Sequence, residues 1–123
     1  MEVADSLRNL CIILGDEGNW TESEAIAREV LAMRRELLGP EHPWVASALT
    51  DLAWAVGAGT NLVEAETLER EALAMRQRLL GADHPDVAIS LYLLGDRMRQ
   101  QGELSQALPI LSAARSIQRK VLG

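Results

Sequence analysis

The sequence predicts an all-α chain, an α-solenoid made of one stacked array of three helical hairpins, and three observations carry that prediction. Gly39, Gly81 and Gly123 stand 42 residues apart, and Leu37-Leu38-Gly39-Pro40-Glu41-His42-Pro43-Trp44-Val45-Ala46 returns at the same interval as Leu79-Leu80-Gly81-Ala82-Asp83-His84-Pro85-Asp86-Val87-Ala88. A fixed long period of this kind marks a stacked repeat, in which each unit buries its apolar face only against its neighbours. Within each unit, apolar residues recur at three- and four-residue steps, the period of a helix with one buried face. No segment alternates apolar and polar residues for long enough to be a strand.

The first unit covers about residues 1–39. Val3, Leu7, Leu10, Cys11 and Leu14 line one face of its first helix, Gly18-Asn19 turns the chain, and a second helix runs from Trp20 to Leu38. The second unit, about residues 40–81, opens with Pro43 at the first helical position, where a missing N–H costs nothing. Its first helix points Val45, Leu49, Leu52, Ala53 and Val56 inward, and Gly57-Ala58-Gly59-Thr60-Asn61 is expected to break it. The second helix runs from about Leu62 to Leu80, with Ala65, Leu68, Ala72, Met75 and Leu79 inward and Gly81 as a left-handed cap. The third unit, about residues 82–123, repeats the plan with Val87, Leu91, Leu94, Gly95 and Met98, a turn at Gln101-Gly102, and a helix from Leu104 to Leu122. Pro109 falls inside that last helix and is expected to kink or loosen its start. Arg115 and Gln118 stand where Leu73 and Arg76 stand one unit earlier, so the last hairpin is the most diverged.

Small residues recur where the two helices of a hairpin must approach. Cys11, Ala53 and Gly95 share one phase, and Ser23, Ala65 and Ala107 share another. Glu24 with Arg28 and Glu66 with Arg70 are acid–base pairs at four-residue spacing, each worth a few tenths of a kcal/mol on a solvated outer face.

Composition narrows the function classes. At 123 residues the chain suits one domain, and hydrophobic residues at 48% can build a continuous core. A net charge of −6 argues against nucleic acid, which needs clustered positive charge. The basic pairs Arg34-Arg35 and Arg76 with Arg78 fall late in helices, where cations complement the helix dipole. Cys11, a lone cysteine, excludes an internal disulfide framework and fits a reducing compartment. No apolar run reaches membrane-spanning length, so no membrane contact and a cytoplasmic location are expected. The chain is in phase with the repeat at both ends and reads as a segment of a longer protein.

The pattern Val-Ala-x-x-Leu-x-x-Leu-(small), followed by Gly, Glu-Ala, Ala-Leu-x-Met-Arg and Leu-Gly-x-(acid)-His-Pro, resembles the tetratricopeptide repeat (TPR), in the 42-residue subtype typified by kinesin light chain. The residues that carry it are Leu79 to Ala88 and Glu64-Ala65-Glu66-Thr67-Leu68-Glu69-Arg70-Glu71-Ala72-Leu73. The resemblance implies a right-handed superhelix whose first helices line a concave, peptide-binding groove. The concave face should then carry Asp5, Arg8, Asn9 and Ile12, then Ser47, Thr50, Asp51 and Trp54, then Ile89, Tyr92, Leu93 and Asp96. Asn9 matches the peptide-clamping Asn of the subtype, whereas Asp51 and Leu93 replace it in the other units. In its place the chain offers apolar groups, Ile12, Trp54, Ile89, Tyr92 and Leu93, the composition of a protein-binding hot spot. Trp20 sits where Leu62 and Leu104 sit and is expected in the core, while Trp44 matches Asp86 and is expected at an inter-repeat rim.

No catalytic, cofactor or metal site is expected. His42 and His84 share one slot without carboxylates or cysteines at ligand spacing, and they read as caps of the helices that follow. No Gly-rich phosphate loop or nucleophile elbow is present. The function expected is a protein-interaction module that holds a peptide or helix of a partner protein. Two alternatives stay open: an array that pairs with itself as a homo-oligomer, with Leu108, Ile110, Leu111 and Ile117 outermost, or a regulatory segment of a larger bacterial signalling protein.

Overall fold

The structure is a computed structural model that describes residues 2–59 and 61–122, so the turn residue Thr60 and the third periodic glycine, Gly123, lie outside the described residues. Six helices and no strand are found among the described residues: α1 (Glu2–Asp16), α2 (Trp20–Leu38), α3 (Pro43–Ala58), α4 (Leu62–Leu80), α5 (Pro85–Gln100) and α6 (Leu104–Leu122). Each helix packs chiefly on the one before and the one after it. The chain is therefore an α-solenoid of three hairpins.

Local chemistry sets the helix ends. Pro43 and Pro85 occupy the first turns of α3 and α5, and the Nδ1 atoms of His42 and His84 accept from the backbone N–H of Trp44 and Asp86 at 3.0 Å. Each histidine thus satisfies a donor that the helix cannot pair internally. Asn19 and Asn61 do the same for α2 and α4, accepting from the N–H of Glu22 and Glu64. Gly39 and Gly81 close α2 and α4 with φ of 88° and 92° but ψ of 174° and 156°. That is not the left-handed helical cap expected of Gly81; it is the mirror-extended region open essentially to glycine alone.

The stretch from Gly57 to Asn61 breaks α3 as expected, although Gly57 itself is buried inside the helix and the helix ends only at Ala58. α6, by contrast, is one continuous helix through Pro109. Pro109 forfeits only the bond to the Ser105 carbonyl, close to the helix start and beside an exposed side chain, where water can replace it.

The hairpins close through the small residues. The Ser23 hydroxyl donates to the Cys11 carbonyl at 2.9 Å, and the Cys11 thiol lies 3.2 Å from that hydroxyl. Ala53 and Ala65 are fully buried at the same joint of the second hairpin. In the third, Gly95 leaves space that Leu111 enters; an added Cβ would lie 2.7 Å from the Leu111 Cδ2 atom.

Between hairpins, the second helix of each unit packs on the first helix of the next. Leu31 joins Val45, Leu49 and Leu52 in the core, and Leu73 meets Val87 and Leu91. Arg34 and Arg76 are buried in these seams instead of complementing a helix dipole in solvent. Arg34 donates to the Trp44 carbonyl at 3.0 Å and to Asp5 Oδ1 at 3.3 Å. Arg76, one period later, donates to the Asp86 carbonyl at 3.5 Å, to Ser90 Oγ at 2.7 Å and to Ser47 Oγ at 3.4 Å. One guanidinium therefore ties the first helix of its own unit to the start of the next.

The ends of the array depart from the expected core. Leu10 is 42% exposed and Val3 62%, although their equivalents Leu52, Leu94, Val45 and Val87 are buried. The internal residues are covered by the second helix of the preceding unit, and nothing in the structure covers α1 in that way. On α6, Ile117 is buried against α5, while Ile110 and Leu111 are half-buried beneath it. The apolar residues that remain outermost there are Leu104, Leu108, Val121 and Leu122. Leu79, expected inward, is exposed near the end of α4.

Candidate functional site

α1, α3 and α5 lie side by side. Arg8 Nε donates to Asp51 Oδ2 at 2.6 Å, with Nη2 3.5 Å from Oδ1, which clasps α1 to α3 in a forked ion pair. That hydrogen bond holds the Arg8 guanidinium above its ordinary pKa. Arg97 reaches from α5 to the Ala53 carbonyl of α3 at 3.2 Å. The second helices are laced on their own face by Arg28 with Glu64 and Arg35 with Glu71, and the expected Glu24–Arg28 and Glu66–Arg70 pairs form.

Four of the expected groove residues come together. Asp5, Arg8, Asn9 and Ser47 line one recess of about 420 Å³ with Arg34 and Trp44. Asp5 and Asn9 are exposed at its rim. The floor is the buried Arg34, whose Nε atom has no hydrogen-bond partner. Thr50 turns its hydroxyl back onto the Ala46 carbonyl at 3.3 Å and so offers mainly its methyl group.

Toward α5 the surface changes character. Tyr92 is 55% exposed, and Leu93 lies half-buried beside it. Asp96 is held within its own helix by Arg99 and Gln100. Ile12 is half-buried on α1. Trp54 devotes much of its surface to packing: its ring stands edge-on to Trp20 with centroids 4.9 Å apart, and it covers the Cα of Gly15. Trp20, expected in the core, is only half-buried by this contact. Ile89 does not join the recess. It borders a separate hollow of about 180 Å³ with Pro85, Gln118, Val121 and Leu122, at the seam with α6.

Arg34 and Trp44 were not among the groove residues expected from sequence. The period offered a signal for the arginine, because Arg34 and Arg76 fall in the apolar stripe of their helices, where a solvated cation has no place. Trp44 is exposed at the rim, edge-on to His42 at 5.7 Å, and its carbonyl is held by Arg34.

The other reactive side chains are occupied. Both histidines cap helices through Nδ1. Burial pushes the Cys11 thiol up, partly opposed by its hydrogen bond to Ser23, which disfavours the nucleophilic thiolate. Among the described residues no three His, Cys, Asp or Glu side chains converge as metal ligands, and no helix is long and apolar enough to cross a membrane.

A sequence profile described as Tetratricopeptide repeat matches residues 2–78 and 60–120. The chain belongs to the tetratricopeptide repeat family. Its structure resembles a Podosopora anserina protein described as a kinesin light chain with nearly identical TPR-like repeats, at 25% identity and a TM-score of 0.88 over 97% of this chain and 56% of that one. BtubC (BKLC) of P. vanneervenii is similar at 25% identity and a TM-score of 0.89, over 98% of this chain and 48% of that one. This TPR chain thus spans about half the length of those structures and is of the kinesin light chain-like kind. No curated protein matches it. As a TPR array it is a protein-interaction repeat module.

Proposed function

We propose that the face formed by α1, α3 and α5 binds a peptide or a helical segment of a partner protein, and that its work is binding, not catalysis. The observation that carries this reading is Tyr92, a large aromatic ring more than half exposed on α5. An aromatic anchor beside apolar Leu93, with a charged and polar recess at the far end, has the make-up of an interface core and its rim. The partner segment that suits this face has an apolar stretch over α5 and polar groups over Asp5, Arg8 and Asn9. The Asn9 amide can both donate to and accept from a peptide backbone.

The test is selection of peptides from a random phage-displayed library on the immobilised chain, followed by fluorescence anisotropy of a selected peptide. Tyr92→Ala should weaken that peptide about tenfold, the loss of roughly 1.4 kcal/mol of a hot-spot side chain. Its melting temperature should stay unchanged, because the ring is exposed. Undiminished affinity in Tyr92→Ala would remove the face from consideration.

A further inference from the structure

We propose that copies of this chain stack end to end, the outer face of α6 in one copy receiving α1 of the next, in the register that already joins α2 to α3 and α4 to α5. Three independent features of the molecule point to this occupant.

The first is the pattern of exposure on α1. Val3, Leu10 and Ile13 are its exposed large apolar side chains. Their equivalents one period on are Val45, Leu52 and Ala55, all buried beneath α2. The face that α1 leaves open is the face on which α3 receives the preceding hairpin. On α6 the matching outward positions with exposed apolar side chains are Leu108 and Leu122, which succeed Glu66 and Leu80. Leu108 is 62% exposed, and it has replaced a carboxylate with an apolar group. A helix face that stays solvated gains nothing from that exchange, whereas one that meets Ile13 of another copy does.

The second feature is a specific charge pair. Within the chain, Arg35 of α2 meets Glu71 of α4 at 3.3 Å. Two periods after Arg35 stands Arg119, and one period before Glu71 stands Glu29. Both are exposed, and end-to-end stacking brings Arg119 of one copy against Glu29 of the next in the geometry of the internal pair. The third feature is the charge of the two ends. α6 carries Arg115, Arg119 and Lys120 and no carboxylate, whereas residues 2–38 hold eight carboxylates against four arginines. Opposite ends attract and like ends repel, which favours head-to-tail contact over a symmetric dimer.

Arg115 and Gln118 make this joint weaker than the internal ones. Arg115 stands where Leu31 and Leu73 pack, and Gln118 replaces the buried arginine of the seam. The assembly is accordingly reversible and concentration-dependent. The groove face points elsewhere, so this proposal stands or falls independently of peptide binding.

Sedimentation equilibrium of the whole chain between about 10 and 500 μM tests it, a range that brackets an interface with few anchors. The average mass should climb past that of a dimer without levelling off, because a heterologous contact leaves free ends, and it should fall as salt screens the ends. Ile13→Glu blocks the head and Leu108→Glu blocks the tail; both side chains are exposed, so folding is preserved. Each variant alone should sediment as a monomer, and an equimolar mixture should form dimers and nothing larger. Glu29→Arg mixed with Arg119→Glu provides a second check: their association should exceed that of either charge variant alone. A single-chain mass for the unaltered protein at every concentration overturns the proposal and leaves α6 to a different occupant, such as a following segment of a longer chain. A dimer that saturates, or that survives Ile13→Glu, overturns it as well.

Discussion

Ala27 of α2 and Ala55 of α3 hold the positions that Glu69 and Arg97 hold in α4 and α5. At the first joint both residues are buried alanines, and Gly15 nearby is roofed by the indole rings of Trp54 and Trp20. At the second joint Glu69 is 1% exposed and its Oε2 has no hydrogen-bond partner. Gly57, the counterpart of Gly15, is roofed by the Arg97 guanidinium, which donates to the Ala53 carbonyl and not to Glu69. Burial pushes the Glu69 carboxyl up to about 7, with Arg97 and then Arg76 pulling the other way and Asp51 adding to the rise. The same burial pulls Arg76 down, against Asp86 and Glu69. At these matching positions the two joints thus use different physics: the first packs alanines and indole rings, the second surrounds a carboxylate that is costly to ionise.

The largest effect should come from stripping the first joint. Trp54→Ala removes the roof of Gly15 and the edge contact with Trp20, and should cost about 3 kcal/mol in urea unfolding, the low end for a large aromatic because the ring is half-buried. A loss under about 0.5 kcal/mol would show that the indole is not part of the joint.

Next is the pH response of the second joint. The folded pKa of Glu69 lies above its unfolded value, so the folded state holds the proton longer. Glu69 therefore costs no stability below about pH 4.5, and its cost grows as pH rises toward about 7. Between those limits it removes on the order of 3 kcal/mol. Glu69→Gln should be more stable than the parent by about 2 kcal/mol at pH 8 and less stable by about 1 kcal/mol at pH 4.5, because a poorly paired buried amide carries the same cost at every pH. Parallel stability–pH curves for the two proteins would contradict this account.

The two glycines give a finer comparison. Gly15→Ala drives a Cβ into the Trp54 ring and places it 2.7 Å from Trp20. Rings do not yield easily, so a net loss of about 1–2 kcal/mol is expected even after the gain in helix propensity. Gly57→Ala meets only the tip of Arg97, at 2.5 Å from Nη1, and a flexible side chain can move aside. Its stability should change by less than about 0.5 kcal/mol, a propensity gain offset by one lost hydrogen bond. The Glu69 titration should move to higher pH, because the arginine retreats. Equal penalties at the two glycines would erase the distinction between the joints.

Much of the fold was legible in the chain. The 42-residue period placed the six helices, and the paired small residues named the contacts that close each hairpin. What the period cannot convey is whether a position has a neighbour. Leu10 and Leu52 are equivalent as sequence, yet only Leu52 lies beneath a preceding helix. Arginine misled for a related reason: a cation late in a helix suits the dipole, and only the next unit supplies the Trp44 and Asp86 carbonyls that make burial tolerable. Glu69 could have been noticed, since Ala27 and Leu111 flank it one period either way. Asp5, Arg8, Asn9 and Ser47, grouped on one face by the repeat resemblance and helix phase, do line one recess. Trp54 was harder to place, because its ring crosses to another hairpin, which no spacing within α3 reveals.

The buried arginines grip main chain at each seam, and a carbonyl oxygen is the same whichever amino acid bears it. Trp44 and Asp86 differ as widely as two residues can, yet the fastener above each is of one kind. The side chain at that spot is thereby released from structural duty. A scaffold fastened in this manner can acquire or discard features along its rim, one tryptophan or one aspartate at a time, while its spine keeps its course.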